Sequence, residues 1–150
     1  MPTLVLVRHA QAAYSYPDHA LPLTHAGVDQ AARLGGVLSR EIGSFDVAVC
    51  SDAARAQQTF EQVRQRVHVG ESWFDRSVYN AAEEDILTLA RTFEGERALI
   101  VGHEPTSSGA GYVLAREDDR AEVVRGVPTA TALILTFDGP WEKLAPSSAA

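Results

Sequence analysis

The chain has 150 residues, of which 45% are hydrophobic, enough for one domain with a proper apolar core. Eleven glycines and seven prolines are near-average usage, which excludes a fibrous, repetitive or disordered chain. A formal charge of -7 argues against a nucleic-acid binder held by a broad basic surface, and requires that any anionic ligand be met by cations gathered in one pocket.

Thr3-Leu4-Val5-Leu6-Val7 is a short, almost unbroken apolar run rich in β-branched residues, the pattern of a buried parallel strand. It runs straight into Arg8 and His9. A polar, proline-containing loop follows from Gln11 to Thr24. A helix is predicted from Ala26 to about Ile42, with Thr24 as N-cap and Gly43 as its stop; Val28, Ala31, Ala32, Leu34, Val37 and Leu38 recur at helical spacing. Phe45 to Cys50 reads as a second buried strand ending at Ser51. Ala53 to about Arg66 suits a second helix, capped by Ser51 or Asp52.

Val67 to Val69 forms a short third strand, and Ser72 to Phe74 extends the same edge. Glu83 to Phe93 has helical periodicity through Ile86, Leu87, Leu89 and Ala90. Arg97 to Gly102 is a fourth strand that delivers His103 at its end. Pro105 opens another helix through Tyr112 and Leu114. Ala130 to Phe137 is β-rich, Gly139-Pro140 turns into a short final strand near Trp141, and the tail 146–150 is expected to fray. Strands alternating with helices predict an α/β fold: one domain over residues 1–145, a three-layer α/β/α sandwich around a mostly parallel sheet.

In such sheets ligands bind beyond the carboxyl ends of the strands. The first strand ends at Arg8-His9, the second leads to Ser51 and Arg55, and the fourth ends at His103. Taken singly, each has a plain alternative: Arg55 as a solvated helix residue, His103 as a hydrogen-bonded strand end. Taken together, two imidazoles and two guanidiniums suit phosphoryl transfer through a covalent histidine intermediate. Neutral imidazole is a nucleophile near pH 7, its ordinary pKa being about 6.5. Guanidinium forks match phosphate oxygens and stay charged.

Four segments carry a family resemblance. Leu6-Val7-Arg8-His9-Ala10 resembles the Arg-His-Gly signature of the histidine phosphatase (phosphoglycerate mutase-like) superfamily, with Ala10 in place of glycine. Leu23-Thr24-His25-Ala26-Gly27 with Gln30-Ala31 is similar to its Leu-Thr-x-x-Gly-x-x-Gln-Ala segment. Ser51 to Thr59 resembles Ser-x-x-x-Arg-Ala-x-Gln-Thr, and Gly102-His103-Glu104-Pro105 resembles Gly-His-x-Pro. The resemblance implies His9 as the phosphorylated nucleophile, with Arg8, Arg55, His103 and Ser15 binding the phosphoryl group and neither metal nor cofactor required. Short length and the segment Tyr79-Asn80-Ala81 look most like the small SixA-type phosphohistidine phosphatases. The implied partner is a phosphorylated protein or a small phosphate ester.

Candidates for a general acid are Glu83, Glu84 and Asp18. Either glutamate reads equally as a first-turn residue favoured by the helix dipole, and Asp18 as an ordinary loop residue. A weak acid signal suits phosphohistidine, because imidazole leaves far more easily than an alkoxide. The alternatives are a phosphomonoesterase acting on a sugar phosphate or nucleotide, and a non-catalytic module that only binds phospho-ligands.

Cys50, the sole cysteine, allows no internal disulfide and no cysteine-rich metal site. It stands one residue too close to Arg55 for a cysteine-phosphatase loop and inside a strand, where burial makes a thiol inert. His19, His25 and His68 lack metal-ligand spacing. The apolar run near Met1 is too short for a signal-peptide core, and no segment could span a bilayer. A cytoplasmic protein with no membrane or nucleic-acid partner is expected, with its oligomeric state open.

Overall fold

The apolar runs meet in one five-stranded sheet in the computed structural model, which describes residues 1–13, 18–123, 126 and 128–150. The strands are β1 (Thr3–Arg8), β2 (Ser44–Ser51), β3 (His68–Asp75), β4 (Arg97–Gly102) and β5 (Ala132–Thr136), in the order β3-β2-β4-β1-β5. β1 pairs in parallel with β4, with Arg8 opposite Gly102, while β4 and β3 run parallel to β2; only β5 is antiparallel. The carboxyl ends of β1, β2 and β4 therefore share one rim.

Strand alternation sends side chains to two separate cores. Val5, Val7, Ala48, Cys50, Leu99 and Val101 pack under α1 (His25–Glu41) and α2 (Ala54–Arg64), with Leu34, Leu38, Phe60 and Val63. Leu4, Leu6, Val47, Val49, Ala98 and Ile100 face the opposite layer, built around α4 (Glu83–Ala90) and α5 (Thr106–Leu114). Two short helices complete the chain, α3 (Arg76–Tyr79) and α6 (Arg120–Val123). This is the expected three-layer sandwich.

α1 begins where the sequence predicts, because the Thr24 hydroxyl accepts from the Gly27 amide at 3.0 Å. Glycine is needed at 27: a Cβ there would lie 2.0 Å from the Gln11 carbonyl oxygen, which itself accepts from the Thr24 amide at 3.0 Å. That contact ties the chain leaving β1 to the start of α1.

Several boundaries differ from expectation. β3 is a single eight-residue strand rather than a short strand with an extension, and none of its residues is buried. α2 has no side-chain cap; Ser51 Oγ accepts from the Ala53 amide ahead of the first turn. α4 stops at Ala90, short of Phe93. α3 is not foreshadowed by periodicity, and is started by the Asp75 carboxylate accepting from the Ser77 amide at 2.8 Å.

The final strand expected near Trp141 is instead a 3-10 turn, Trp141–Lys143. The Trp141 ring packs edge-on against Phe93 and Phe137 and its Nε1 donates to the Gly95 carbonyl, so this segment turns into the core. The place beside β5 is taken by the C-terminus. Thr136 and Ala150 exchange backbone hydrogen bonds at 2.7 Å each, and the Ala149 amide donates to the Leu114 carbonyl. The tail expected to fray is tied down, with Ala149 fully buried.

Candidate active site

Each member of the predicted constellation leaves the shared rim of the sheet. Arg8 is the last residue of β1 and His9 follows it, its amide donating to the Gly102 carbonyl at the end of β4. His103 comes directly after β4, and Arg55 is the second residue of α2. The ring centroids of His9 and His103 lie 5.2 Å apart, tilted by 56°. Arg55, only 8% exposed, donates through Nε to His9 Nε2 at 3.3 Å. Arg8 is close enough for its charge to lower the His9 pKa. His9, His103 and Arg55 come together as expected, with Arg8 next to His9 at the same rim.

Local hydrogen bonds set the tautomer of His9. Its Nδ1–H donates to the Ala10 carbonyl at 2.8 Å; a carbonyl can only accept, so Nε2 carries the lone pair, and that is the atom facing Arg55. Ala10, standing where the family pattern has glycine, is fully buried against Leu23 and Ala31. Its amide donates to Thr59 Oγ1, which donates in turn to the Arg55 carbonyl. The methyl group is thus accommodated, and one threonine couples the His9 loop to α2. His103 Nε2 is bonded to Ser51 Oγ at 2.7 Å, while its buried Nδ1 has no hydrogen-bond partner.

Both imidazoles are neutral at pH 7. Burial pushes the His9 pKa down to about 4, with Arg55 and Arg8 acting in the same direction against the Ala10 carbonyl and Asp18. Burial likewise takes His103 to about 3, helped by His9 and Arg55. The unfolded chain would take up these protons near pH 6.5, but the folded protein only at about 4 and below. The unfolded state therefore binds more protons once pH falls through about 6.5, and stability declines from there toward about pH 4. Urea unfolding is expected to show that loss between about pH 7 and about pH 4.5, with a shallower slope in His9→Ala. An NMR titration showing the His9 ring protonated at about pH 6 would contradict the desolvated pair.

The three acid candidates fare differently. Asp18 begins a 3-10 turn, Asp18–Ala20, that reaches the pocket: its Oδ2 accepts from Tyr79 Oη at 2.6 Å and from an Arg55 terminal nitrogen at 3.1 Å, and its carbonyl accepts from the other at 2.7 Å. The Tyr79 hydroxyl, then Arg55, holds this carboxyl below the usual carboxylate range, which makes it a poor proton donor. Glu83 packs over Gly109 and lines a cleft with Pro105, Ser108 and Tyr112 that includes none of Arg8, His9, Arg55 and His103. Glu84 is exposed on α4. Ser15 lies outside the described residues. Cys50 is fully buried in β2, and burial pushes its thiol pKa up, as expected for an inert core residue.

Three contributors were not legible as such. Ser51 orients His103, and its position at a strand end is the signal that could have marked it. Tyr79 stands edge-on to His103 at 5.3 Å between centroids, and nothing in the spacing of α3 announces it. His19 packs against Tyr79 at 4.9 Å and bonds Asp52 at 2.8 Å, joining the Asp18 turn to the start of α2.

Chemically, the arrangement can hold a dianion between two guanidiniums and two imidazoles while presenting one neutral lone pair to it. Among the described residues no group of three or more His, Cys, Asp or Glu side chains is placed to hold a metal ion, and no helix is long and apolar enough to cross a membrane.

Comparison with known proteins agrees with this chemistry. Residues 4–76 match the profile of the histidine phosphatase superfamily (branch 1). An uncharacterised protein of Mycobacterium tuberculosis strain H37Rv is 31% identical over 96% of this chain and 95% of its own. A protein from Nakamurella multipartitia, assigned without proof as a phosphohistidine phosphatase SixA, superposes with a TM-score of 0.88 at 31% identity, over 99% of this chain and 91% of that one. A similarly assigned SixA protein from Agrobacterium tumefaciens gives 0.81 at 27% identity, over 91% and 93%. Strand-end motifs, converging side chains and full-length similarity point the same way: this chain belongs to the histidine phosphatase superfamily and is a SixA-like phosphatase.

Proposed function

We propose that the protein removes phosphoryl groups from phosphohistidine on other proteins, through a covalent intermediate on His9. His9 Nε2 attacks phosphorus as the substrate's P–N bond breaks, and the substrate ring leaves as neutral imidazole, its other nitrogen already carrying the proton. Arg8, Arg55 and the His103 ring surround the equatorial oxygens as charge redistributes. Water then attacks phospho-His9, the electron pair of the P–N bond returns to Nε2, and phosphate departs.

The observation that carries this reading is the state of Asp18. The carboxyl group at the pocket is held ionised by Tyr79 and Arg55, so it has no proton to give an alkoxide. An alkoxide, whose conjugate acid is far weaker than imidazolium, would have to leave unassisted; imidazole, with a conjugate acid pKa of about 6.5, needs no such help. The similarity to two proteins assigned as SixA supports the same substrate class.

The test is a comparison of kcat/KM on a phosphohistidine-bearing protein, a phosphoserine peptide, a sugar phosphate and a nucleotide. Preference for phosphohistidine by about a hundredfold or more is expected, the usual contribution of general acid catalysis that the other substrates would lack. Comparable turnover of the alkyl esters would replace this reading with that of a small-molecule phosphomonoesterase. Binding without turnover of any substrate would leave a phospho-ligand binding module.

A further inference from the structure

A phosphoryl dianion seated between His9, His103, Arg8 and Arg55 is matched by two guanidinium charges. The group attached to it then meets a different set of charges. Arg55 bridges the two regions: its Nε is 3.3 Å from His9 Nε2, and a terminal nitrogen is 3.1 Å from Asp18 Oδ2. The Asp18 carboxylate therefore lies one guanidinium width beyond the nucleophilic atom. Its side chain is 56% exposed, so a group attached to a phosphoryl at His9 can approach it from solvent. Its field reaches both imidazoles, raising the pKa of each.

We propose that Asp18 is a specificity-determining residue that sets the charge of the leaving group: neutral or cationic groups are accepted, and groups carrying a second anion near the phosphoryl are refused. The proposal rests on the phosphatase reading above and adds to it the electrostatic class of the substrate.

The surroundings favour this role over a purely structural one. Asp18 stays ionised at neutral pH, since Tyr79 and Arg55 both stabilise the carboxylate. Asp52 adds a second carboxylate nearby, bonded to His19, which packs on the same Tyr79 ring. Among the described residues Arg76 also stands on this side, its guanidinium 5.5 Å from the Tyr79 ring centroid. A phosphoryl group held by Arg8 and Arg55 leaves a second anion on the same molecule facing the Asp18 carboxylate at 3.1 Å from Arg55, with Asp52 beside it. Imidazole or a leaving group with an ammonium close by meets no such repulsion.

Three aryl phosphates with phenols of similar acidity isolate the effect: phenyl phosphate, 4-carboxyphenyl phosphate and 4-(aminomethyl)phenyl phosphate. At low ionic strength kcat/KM is expected to rank cationic over neutral over anionic, with about a tenfold ratio between the extremes, equivalent to about 1.4 kcal/mol. Raising salt from about 0.01 M to about 0.15 M shortens the screening length from about 30 Å to about 8 Å and should compress the ranking. Asp18→Asn keeps an acceptor for Tyr79 and Arg55 but removes the charge, and is expected to bring the ratio close to unity. Any loss of Arg55 positioning slows all three esters alike and cancels in the ratio; Asp18→Ser serves if the Asn variant does not fold.

A wild-type protein indifferent to the charge of the ester, or an Asp18→Asn variant that keeps the wild-type ranking, overturns the proposal while leaving the phosphatase reading standing. Absence of turnover and of a phosphoenzyme with all three esters and with a phosphohistidine-bearing protein as well overturns both.

Discussion

His9→Ala is expected to lose the phosphoenzyme entirely and to lower kcat by about four orders of magnitude or more, the scale seen when a covalent nucleophile is removed. The physical basis is the lone pair on Nε2. The Nδ1–H bond to the Ala10 carbonyl assigns that lone pair to the pocket side, and burial keeps it unprotonated, with a pKa of about 4. Among the described residues no neighbouring group is placed to replace it: His103 Nε2 is already engaged by Ser51, and the Cys50 thiol is buried inside β2. Binding should survive the change, because Arg8, Arg55 and His103 are untouched. Incubation with a radiolabelled aryl phosphate, an alkaline quench and an acid-lability assay would follow the intermediate, while vanadate binding would follow the pocket. An acid-labile phosphoenzyme that persists in His9→Ala would place the nucleophile elsewhere.

Arg55→Ala should be the next most damaging change, lowering kcat/KM by about a thousandfold, the upper range for removing one donor aimed at developing charge. Arg55 is buried and makes three contacts at once, to His9 Nε2, to the Asp18 carbonyl and to the Asp18 carboxylate. Its loss takes a cation from the phosphate site and leaves the Asp18 carboxylate uncompensated beside two imidazoles. The sign of the pH effect follows. Arg55 lowers the pKa of both histidines and Asp18 raises them, so deleting the arginine moves both pKa values upward from about 4 and about 3. The acid limb of kcat/KM should shift toward neutral pH in Arg55→Ala, and adding Asp18→Asn should partly reverse the shift. Arg55→Lys keeps the charge but cannot span three partners, and should recover only part of the activity. A variant within a few-fold of wild type, with an unmoved acid limb, would show that Arg55 is no part of the phosphate site.

How far these side chains could be located in advance depended on the range of the signal. Strand runs such as Thr3 to Val7 and Arg97 to Gly102 announce themselves, because a strand buried on both faces must be apolar at nearly every position. Reactive residues at the ends of those runs are legible for the same reason: once the strands are parallel, their carboxyl ends must share a rim. α1 was readable from its cap and its periodicity. α3 and the 3-10 turn at Trp141 were not, since four residues started by an Asp75 cap, or one indole drawn between Phe93 and Phe137, leave no periodic trace. The C-terminal tail misled for a related reason: small residues there look free, yet Ala149 and Ala150 supply backbone groups that β5 and the end of α5 lacked.

By itself, then, the amino-acid order determined the layering, the strands that converge and the four nitrogen-bearing side chains at their ends, because periodicity and strand termini are local properties. Tertiary structure alone decided which nitrogen of His9 bears the lone pair, that both imidazoles are neutral, and that Tyr79 and Arg55 hold the Asp18 carboxyl below the usual carboxylate range. The hydrogen bond from Tyr79 to Asp18 joins residues 61 positions apart, and the desolvation of His9 and His103 arises only when separate strands and helices close around them. Protonation states follow burial and neighbouring charge, and neither exists until the chain has folded.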